Sequence, residues 1–242
     1  KQTAAHAEKF GFTNLQPVLS LPLGSNEVTP VSMAAAYAAF ANQGIFNDPV
    51  YILRVEDANG ALLEEHKPKP ERIISPENAY IINNMLQGVM ETGGTGAHLR
   101  NIIGNAPAAG KTGTTDEFKD AWFVGYTPRV CCAVWVGYDR EKNVNSAGGV
   151  VAGPIWANFM AAAISKYGPV DFEKPDTVKI INTCLDSGQV ATQACPRTSE
   201  MAFQQGTEPD TICYYHATGL DWLFPDQDGD RNNEPWWERW IP

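Results

Sequence analysis

The sequence predicts an α+β fold in which an antiparallel sheet is flanked by helices. Three β-like runs, at 108–115, 121–126 and 130–138, follow one another with short connections, which favours an antiparallel meander. Two helices begin with a hydroxyl residue followed by proline, at Thr29 and at Ser75. A third, apolar helix follows the last strand. We expect the two earlier helices on one side of the sheet and the last helix on the other.

Three further local signals fill in the order of elements. Lys1–Phe10 is predicted as the end of a helix that began earlier, because no start signal precedes it and Gly11 closes it. Asn59-Gly60 lies between two apolar runs and indicates a β-hairpin. Gly153-Pro154 predicts the start of the final helix. The stripe of large residues on that helix, beginning at Trp156, is expected to pack in the core.

The composition of the chain changes after Pro169. The residues beyond it are richer in Thr, Asp, Pro and Trp and show little periodicity. A length of 242 residues allows one large domain with an appendage. We therefore expect a main domain at 1–170 and an irregular, cysteine-containing C-terminal extension at 171–242.

Charge and hydropathy exclude several classes of partner. The formal net charge is -10, whereas nucleic-acid-binding surfaces are basic, so no nucleic-acid partner is expected. The apolar runs are short and interrupted, which predicts no membrane span in this chain. No signal peptide opens the sequence. The apolar content of 43% is that of an ordinary globular protein with a core.

The first predicted strand of the sheet carries the motif Lys111-Thr112-Gly113, followed by Thr114 and Thr115. A lysine supplies positive potential, hydroxyls donate hydrogen bonds, and a strand glycine often marks close approach of a ligand. A free backbone N–H can also hold a developing oxyanion. These features suit a peptide-like ligand with a carboxylate. The motif alone fits an ordinary exposed strand equally well, because short strings of common residues recur by chance.

The surroundings of this motif make the prediction more specific. Over most of its length the chain resembles the transpeptidase domain of bifunctional (class A) penicillin-binding proteins, with a fold similar to that of serine β-lactamases. The segments that carry the resemblance occur in family order: LPLGSNEVTPVSMAAAYAAFANQG, METGGTGAHLR, AAGKTGTTDEFKDAWFVGYTP, AVWVGYD and AGPIWANFM. The tail strings CLDSGQVATQACP and GTEPDTICYYH resemble C-terminal extensions of some members.

The resemblance implies a serine-type D,D-transpeptidase that cross-links peptidoglycan stem peptides through an acyl-enzyme and is a β-lactam target. It needs no cofactor. Lys111 and Thr114 would be catalytic, the first tuning proton transfer and the second donating its N–H to the oxyanion. Thr112, Gly113, Thr114 and Thr115 would bind the substrate or β-lactam. The implied location is the extracytoplasmic face of the bacterial cell membrane, with anchoring through a segment absent here.

The chain departs from the family pattern in one respect. No serine in it begins the S-x-x-K motif of the nucleophile or the S-x-N motif. We therefore expect an incomplete domain that supplies the Lys-Thr-Gly strand, is inactive alone, and requires a companion segment carrying both motifs. The alternative is a non-catalytic wall-binding or partner-binding module that retains only the carboxylate-binding strand.

The cysteines of the tail allow two interpretations. Cys184, Cys195, Cys213 and His216 have the residue types of a Cys₃His zinc site. The extracytoplasmic location implied by the resemblance favours a disulfide between Cys184 and Cys195 instead, and no metal site is predicted. The acidic string DQDGDRNNE at 226–234 lacks the spacing of a calcium loop and is interpreted as a solvated turn.

Overall fold

The computed structural model describes three stretches of the chain: residues 1–115, 118–140 and 142–217. The chain divides into an N-terminal unit, Lys1–Lys174, and a C-terminal unit, Pro175–Pro242. The composition change near Asp171 lies close to this division. The acidic string at 226–234 lies outside the described residues.

The helices of the N-terminal unit begin where local chemistry favours them. The described helices are α1 (Gln2–Glu8), α2 (Pro30–Ala41), α3 (Pro76–Gln87), α4 (Arg100–Ile103) and α5 (Gly148–Tyr167). The Thr29 hydroxyl accepts from the Ser32 N–H at 3.1 Å, and the Ser75 hydroxyl accepts from the Asn78 N–H at 3.2 Å. Both bonds satisfy an N–H group that a helix start leaves unpaired. The helix starts predicted at Thr29 and Ser75 are confirmed.

The strands of this unit form three small antiparallel sheets. β1 (Ile45–Phe46) pairs with β4 (Glu71–Arg72), and β2 (Arg54–Glu56) pairs with β3 (Leu62–Glu65). The second pair is the hairpin predicted at Asn59-Gly60, where the positive φ of +82° requires a glycine-like conformation. The largest sheet contains β5 (Ala109–Thr114), β6 (Ala121–Tyr126) and β7 (Cys131–Val136).

The three-stranded sheet has the order β5-β6-β7, as the meander prediction requires. One face packs against α5, where Phe123 and Trp156 are fully buried and their ring centroids lie 4.7 Å apart. The other face packs against α2 and α3, with Tyr126 in contact with Tyr37. The predicted distribution of helices on the two faces is thus confirmed, and β5 lies at an edge of the sheet.

The predicted start of the last helix at Gly153 is wrong. Helix α5 begins at Gly148, and Pro154 lies inside it. By length and composition alone α5 could cross a membrane, which the sequence analysis did not anticipate. Packing in the core explains the apolar composition of α5, because Trp156 and Met160 on one face are fully buried against the sheet.

The predicted core stripe of α5 is only partly buried. Trp156 and Met160 are buried, but Phe159 and Tyr167 are about half exposed, at 51% and 53%. The buried face instead continues through Ala152. The small side chain of Ala152 lets the helix lie close to the sheet, so the stripe is narrower than the large residues suggested.

The C-terminal unit contains β8 (Val178–Cys184), β9 (Thr198–Gln204) and the short helix α6 (Tyr214–Ala217). β8 and β9 pair antiparallel over their whole length. The expectation that the extension is irregular is therefore wrong for these strands. Few residues of this pair are buried, namely Val178, Thr183, Cys184 and Ala202. The two strands therefore lack the clear alternation of apolar and polar residues that predicts a strand from sequence.

Candidate functional site

The peptide groups of β5 alternate between the sheet and its open edge. The Thr115 N–H donates to the Asp120 carbonyl oxygen at 3.1 Å. With the register of the two strands, this bond identifies which residues of β5 direct their peptide groups toward β6. In an antiparallel pair every second residue turns its N–H and C=O away from its partner strand. Gly110, Thr112 and Thr114 are the residues of β5 that do so. No described strand pairs with that edge, so the N–H groups of Thr112 and Thr114 have no strand partner there and can donate to a ligand.

The side chains of Thr112 and Thr114 lie on the face covered by α5. The Thr112 hydroxyl lies 3.1 Å from the hydroxyl of Thr95, which belongs to the predicted Gly-rich loop. The Thr114 hydroxyl accepts a hydrogen bond from the Gly148 N–H at 3.1 Å. A hydroxyl that accepts still has its own hydrogen to donate. Thr114 can therefore donate both an O–H and an N–H at the edge of the sheet.

Lys111 lies on β5 beside these threonines and is exposed. Its Nζ donates to the carbonyl oxygen of Thr112 at 2.8 Å, and that carbonyl is one of those facing the open edge. The ammonium group is thereby held next to the exposed peptide groups. An exposed cation at this position gives the edge a positive potential that attracts carboxylates.

Glycines on β5 and α5 allow the close approach of the two elements. A Cβ on Gly148 would fall well inside van der Waals contact of the Gly113 and Trp122 carbonyl oxygens. A Cβ on Gly113 would lie 3.1 Å from the Trp122 Cβ. Packing against Trp122 therefore accounts for Gly113, in addition to the ligand clearance that the sequence analysis assigned to it.

Thr115 has a different environment from the other predicted site residues. Its hydroxyl accepts from the Asp120 N–H at 2.8 Å and donates to the Asp120 carboxylate at 3.2 Å. The same carboxylate accepts from the Trp135 indole N–H at 2.8 Å. The Thr115 hydroxyl is thus used in the connection from β5 to β6, and Asp120 has a structural role there.

Residues outside the motif complete the site. Thr95 contacts Thr112, and Gly149 has no room for a Cβ because Thr95 and Thr112 lie beside it. His98 Nε2 lies 3.0 Å from the Gly149 carbonyl oxygen and joins the Gly-rich loop to the start of α5. Sequence reasoning missed these partners. The Gly148-Gly149 pair was the available signal, since adjacent glycines often mark close backbone approach.

The site is an open edge and not an enclosed pocket. A cavity of about 510 Å³ lies between residues 11–16 and 25–32. Its lining includes no residue of the Lys-Thr-Gly motif. A ligand of β5 would therefore need a second wall from elsewhere to be enclosed.

The C-terminal unit brings its three cysteines and His216 together. The Sγ atoms of Cys184, Cys195 and Cys213 and a ring nitrogen of His216 all lie within 4.8 Å of one another. Cys184, Cys195 and Cys213 are free thiols in the structure, so the disulfide between Cys184 and Cys195 stays a prediction. That disulfide would use two of the four metal-ligand groups that the fold gathers at one point.

Electrostatics distinguish the cysteines of the two units. In the N-terminal unit, burial and, to a smaller extent, neighbouring Cys132 raise the pKa of the Cys131 thiol to about 12. Cys131 is therefore a neutral packing residue at physiological pH. Burial also acts to raise the pKa of Cys213, but hydrogen bonds from Ser187 and His216 outweigh it and lower that pKa to about 6. The Cys213 environment thus favours a thiolate.

Comparison with known proteins agrees with the resemblance seen in the sequence. A family model described as the penicillin binding protein transpeptidase domain matches residues 4–161. A second, described as the C-terminal domain of penicillin-binding protein 1A, matches residues 174–218. The chain therefore belongs to the penicillin-binding protein transpeptidase family, and the predicted likeness to the class A members is confirmed.

The individual relatives of this chain are also named as penicillin-binding proteins. The chain is 38% identical to penicillin-binding protein 1A of Aquifex aeolicus, over 85% of this chain and 28% of the relative. It is 31% identical to penicillin-binding protein 2D of Bacillus subtilis, over 97% of this chain and 35% of the relative. The chain thus spans about a third or less of the length of these curated relatives.

Solved structures support the same fold. The crystal structure of penicillin-binding protein 1A from Haemophilus influenzae matches with a TM-score of 0.75 and 26% identity, over 86% of this chain and 37% of that chain. The PonA1 protein from Mycobacterium tuberculosis, solved in complex with penicillin V, matches with a TM-score of 0.52 and 28% identity, over 67% of this chain and 45% of that chain. The predicted α+β transpeptidase fold is confirmed.

Proposed function

We propose that this chain is part of a serine-type D,D-transpeptidase that cross-links peptidoglycan stem peptides and is acylated by β-lactams. The observation that carries the proposal is the open edge of β5, where Thr112 and Thr114 turn their peptide groups outward. Family membership supports it. The penicillin V complex of the PonA1 relative supports β-lactams as ligands. The working site would lie on the extracytoplasmic side of the membrane.

Each residue of the edge has a defined task in this proposal. The hydroxyls of Thr112 and Thr114 donate hydrogen bonds to the terminal carboxylate of the stem peptide or β-lactam. The Thr114 N–H donates to the oxygen that becomes negative when the carbonyl is attacked. One such oxyanion donor contributes roughly 3 kcal/mol of transition-state stabilisation in comparable enzymes. Lys111 adds positive potential close to both groups and tunes proton transfer.

The nucleophile comes from a companion segment, since no serine of this chain begins S-x-x-K. The serine oxygen attacks the carbonyl carbon between the two terminal D-alanines, its proton is removed, and D-alanine leaves as the protonated amine. The resulting ester is then attacked by an amine of a neighbouring stem peptide, which forms the cross-link and releases the serine. A β-lactam forms the same ester, but its leaving nitrogen remains attached through the opened ring.

A fluorescent penicillin tests the proposal directly. The chain is incubated with the label alone and together with a segment that carries the S-x-x-K and S-x-N motifs. We expect no covalent label on the 242-residue chain and stoichiometric label on the companion segment in the complex. Label on the chain itself would contradict the assignment of the nucleophile. A stable complex that binds stem peptide and takes up no label would favour a non-catalytic binding module instead.

A further inference from the structure

The cysteine cluster of the C-terminal unit is assembled from three separate segments. Cys184 ends β8, Cys195 lies in the connection to β9, and Cys213 with His216 lies at the short helix α6. Backbone hydrogen bonds fix the segments, since the Cys184 N–H donates to Gln189 O and the Cys213 N–H donates to Val190 O, both at 2.8 Å. The convergence of the four side chains is thus built into the backbone of the unit.

Two distances within the cluster match those of a tetrahedral metal site. His216 Nδ1 lies 3.4 Å from the Cys184 sulfur and 3.5 Å from the Cys213 sulfur. Zinc bound to sulfur at about 2.3 Å and to nitrogen at about 2.0–2.1 Å in a tetrahedron places those ligand atoms roughly 3.5 Å apart. A disulfide instead requires two sulfurs at about 2.0 Å and leaves the third cysteine and the histidine unexplained.

The groups around the cluster are those that support thiolate and imidazole ligands. The Ser187 hydroxyl donates to the Cys213 sulfur at 3.2 Å, and the Thr192 N–H donates to the Cys195 sulfur at 3.3 Å. With Nδ1 of His216 facing the sulfurs, its Nε2 faces Asp186 Oδ2 at 3.7 Å. A carboxylate behind a ligating histidine is a recurrent feature of zinc sites, because it fixes the tautomer and orients the ring.

The carboxylate is itself held in place. Asp186 Oδ1 accepts from the Arg197 guanidinium, with Nε at 3.0 Å, which leaves Oδ2 directed to His216. Cys184, Cys213 and His216 are buried and Cys195 is half-buried, so most of the ligand set is shielded from water. A closed set of four protein ligands with no exposed position is the pattern of structural zinc sites, whereas catalytic sites leave one position open.

We propose that the C-terminal unit binds one Zn²⁺ ion in a closed structural site formed by Cys184, Cys195, Cys213 and His216. Binding requires the three cysteines as thiolates, so any proton still on a thiol is released to solvent, and no oxidant is needed. The ion joins the β8–β9 hairpin to the segment that contains α6. Small units with little apolar core commonly depend on such a metal for their stability. The proposal is independent of the transpeptidase chemistry of the N-terminal unit.

Metal analysis of the full chain tests the site. The protein is purified with reductant, equilibrated with Zn²⁺ and dialysed, and its zinc content is measured by mass spectrometry. We expect one zinc ion per chain in the wild type and at least a tenfold lower content in Cys213→Ser and His216→Ala. Cys131→Ser, a cysteine in the other unit, is the control and retains full zinc. Zinc below a tenth of an ion per wild-type chain overturns the proposal.

A second set of measurements keeps the test decisive if a variant fails to fold. His216→Cys replaces the nitrogen ligand by a fourth thiolate and is expected to retain zinc. Cobalt substitution of the wild type should give the visible absorption of a tetrahedral thiolate site, and His216→Cys should shift it to longer wavelength. Absence of a tetrahedral cobalt spectrum in the wild type, or a Cys184–Cys195 disulfide in zinc-treated protein by peptide mapping, would overturn the proposal.

Discussion

Tyr126 donates its phenolic hydrogen to Oδ1 of Asn83 across 2.7 Å, in a part of the core where both residues are buried. Asn83 in turn donates from Nδ2 to the Phe40 carbonyl oxygen at 3.0 Å. The two bonds connect β6, the central strand of the sheet, to α3 and α2, which pack on the side opposite α5. They form a buried polar network in which each member satisfies another.

Tyr126→Phe should destabilise the N-terminal unit by about 1–3 kcal/mol, because it leaves the Asn83 carbonyl oxygen buried without its donor. Urea unfolding followed by fluorescence measures the change. Tyr138→Phe, at a half-exposed position, is the matched control and should change stability by less than about 0.5 kcal/mol. Equal effects of the two substitutions would show that the buried hydrogen bond contributes nothing specific.

Gly148→Ala should displace α5 from β5, since its new methyl group would overlap the Gly113 and Trp122 carbonyl oxygens. We expect a loss of stability of about 1–3 kcal/mol. In the complex with the companion segment, slower penicillin acylation should accompany it. Gly88→Ala is the control, because a Cβ there meets no atom within 4 Å. An unaltered acylation rate in Gly148→Ala would exclude α5 as a support of the site strand.

Thr114→Val preserves the shape of the side chain and removes its hydroxyl. In the complex it should slow acylation by a fluorescent penicillin about tenfold or more, since a hydrogen bond to a charged group contributes about 1.5–3 kcal/mol. Thr114→Ser restores a hydroxyl that can still accept from Gly148, and should acylate at a rate near that of the wild type. If serine and valine at this position slow acylation equally, the carboxylate-binding role of the hydroxyl is wrong.

The stability of the N-terminal unit should fall as the pH rises above about 9. Burial raises the pKa of Cys131 to about 12, so the folded thiol keeps its proton where the unfolded thiol, with a pKa near 9, has lost it. Unfolding then releases a proton, and the free energy of unfolding decreases by at most about 1.4 kcal/mol per pH unit for this group. Burial also raises the pKa of Tyr126, which adds a decrease in the same direction at higher pH.

Cys131→Ser isolates the contribution of the thiol, because a serine hydroxyl does not titrate in this range. Urea unfolding at pH 8.5 and pH 11 should therefore give a smaller decrease in the variant than in the wild type, by about 1 kcal/mol or more. The same pH dependence in both proteins would contradict the buried, neutral state of Cys131.

The start of a helix could be predicted where its chemistry is local. At Thr29 and Ser75 the capping hydroxyl, the proline and the N–H that is capped lie within a few residues of one another. The start of α5 could not, because Gly148 and Gly149 are poor helix formers by themselves. They are required by the backbone of β5 and by Thr95, which are distant in sequence.

The candidate sites likewise have features that could be predicted from local sequence and features that depend on the fold. Residue types and the family resemblance placed Lys111 on a strand beside hydroxyls. That Thr112 and Thr114 face an open edge depends on the order of the strands, which the motif does not contain. Likewise, Cys184 and Cys195 were recognised as a potential pair. The choice between a disulfide and a metal site depends on the pairing of β8 with β9. That pairing could not be predicted, because polar residues obscure the strand pattern in both segments.

The open edge of β5 also bears on the solubility of the chain. Unpaired peptide groups at the edge of a sheet can pair with a strand of another molecule as readily as with a peptide ligand, and a charged side chain on the edge is a common protection against such aggregation. Lys111 provides that charge, and in the proposed function it also attracts the carboxylate of the ligand. A bound β-lactam would occupy the same groups, so the inhibitor that blocks the site would also act as a guard against self-association.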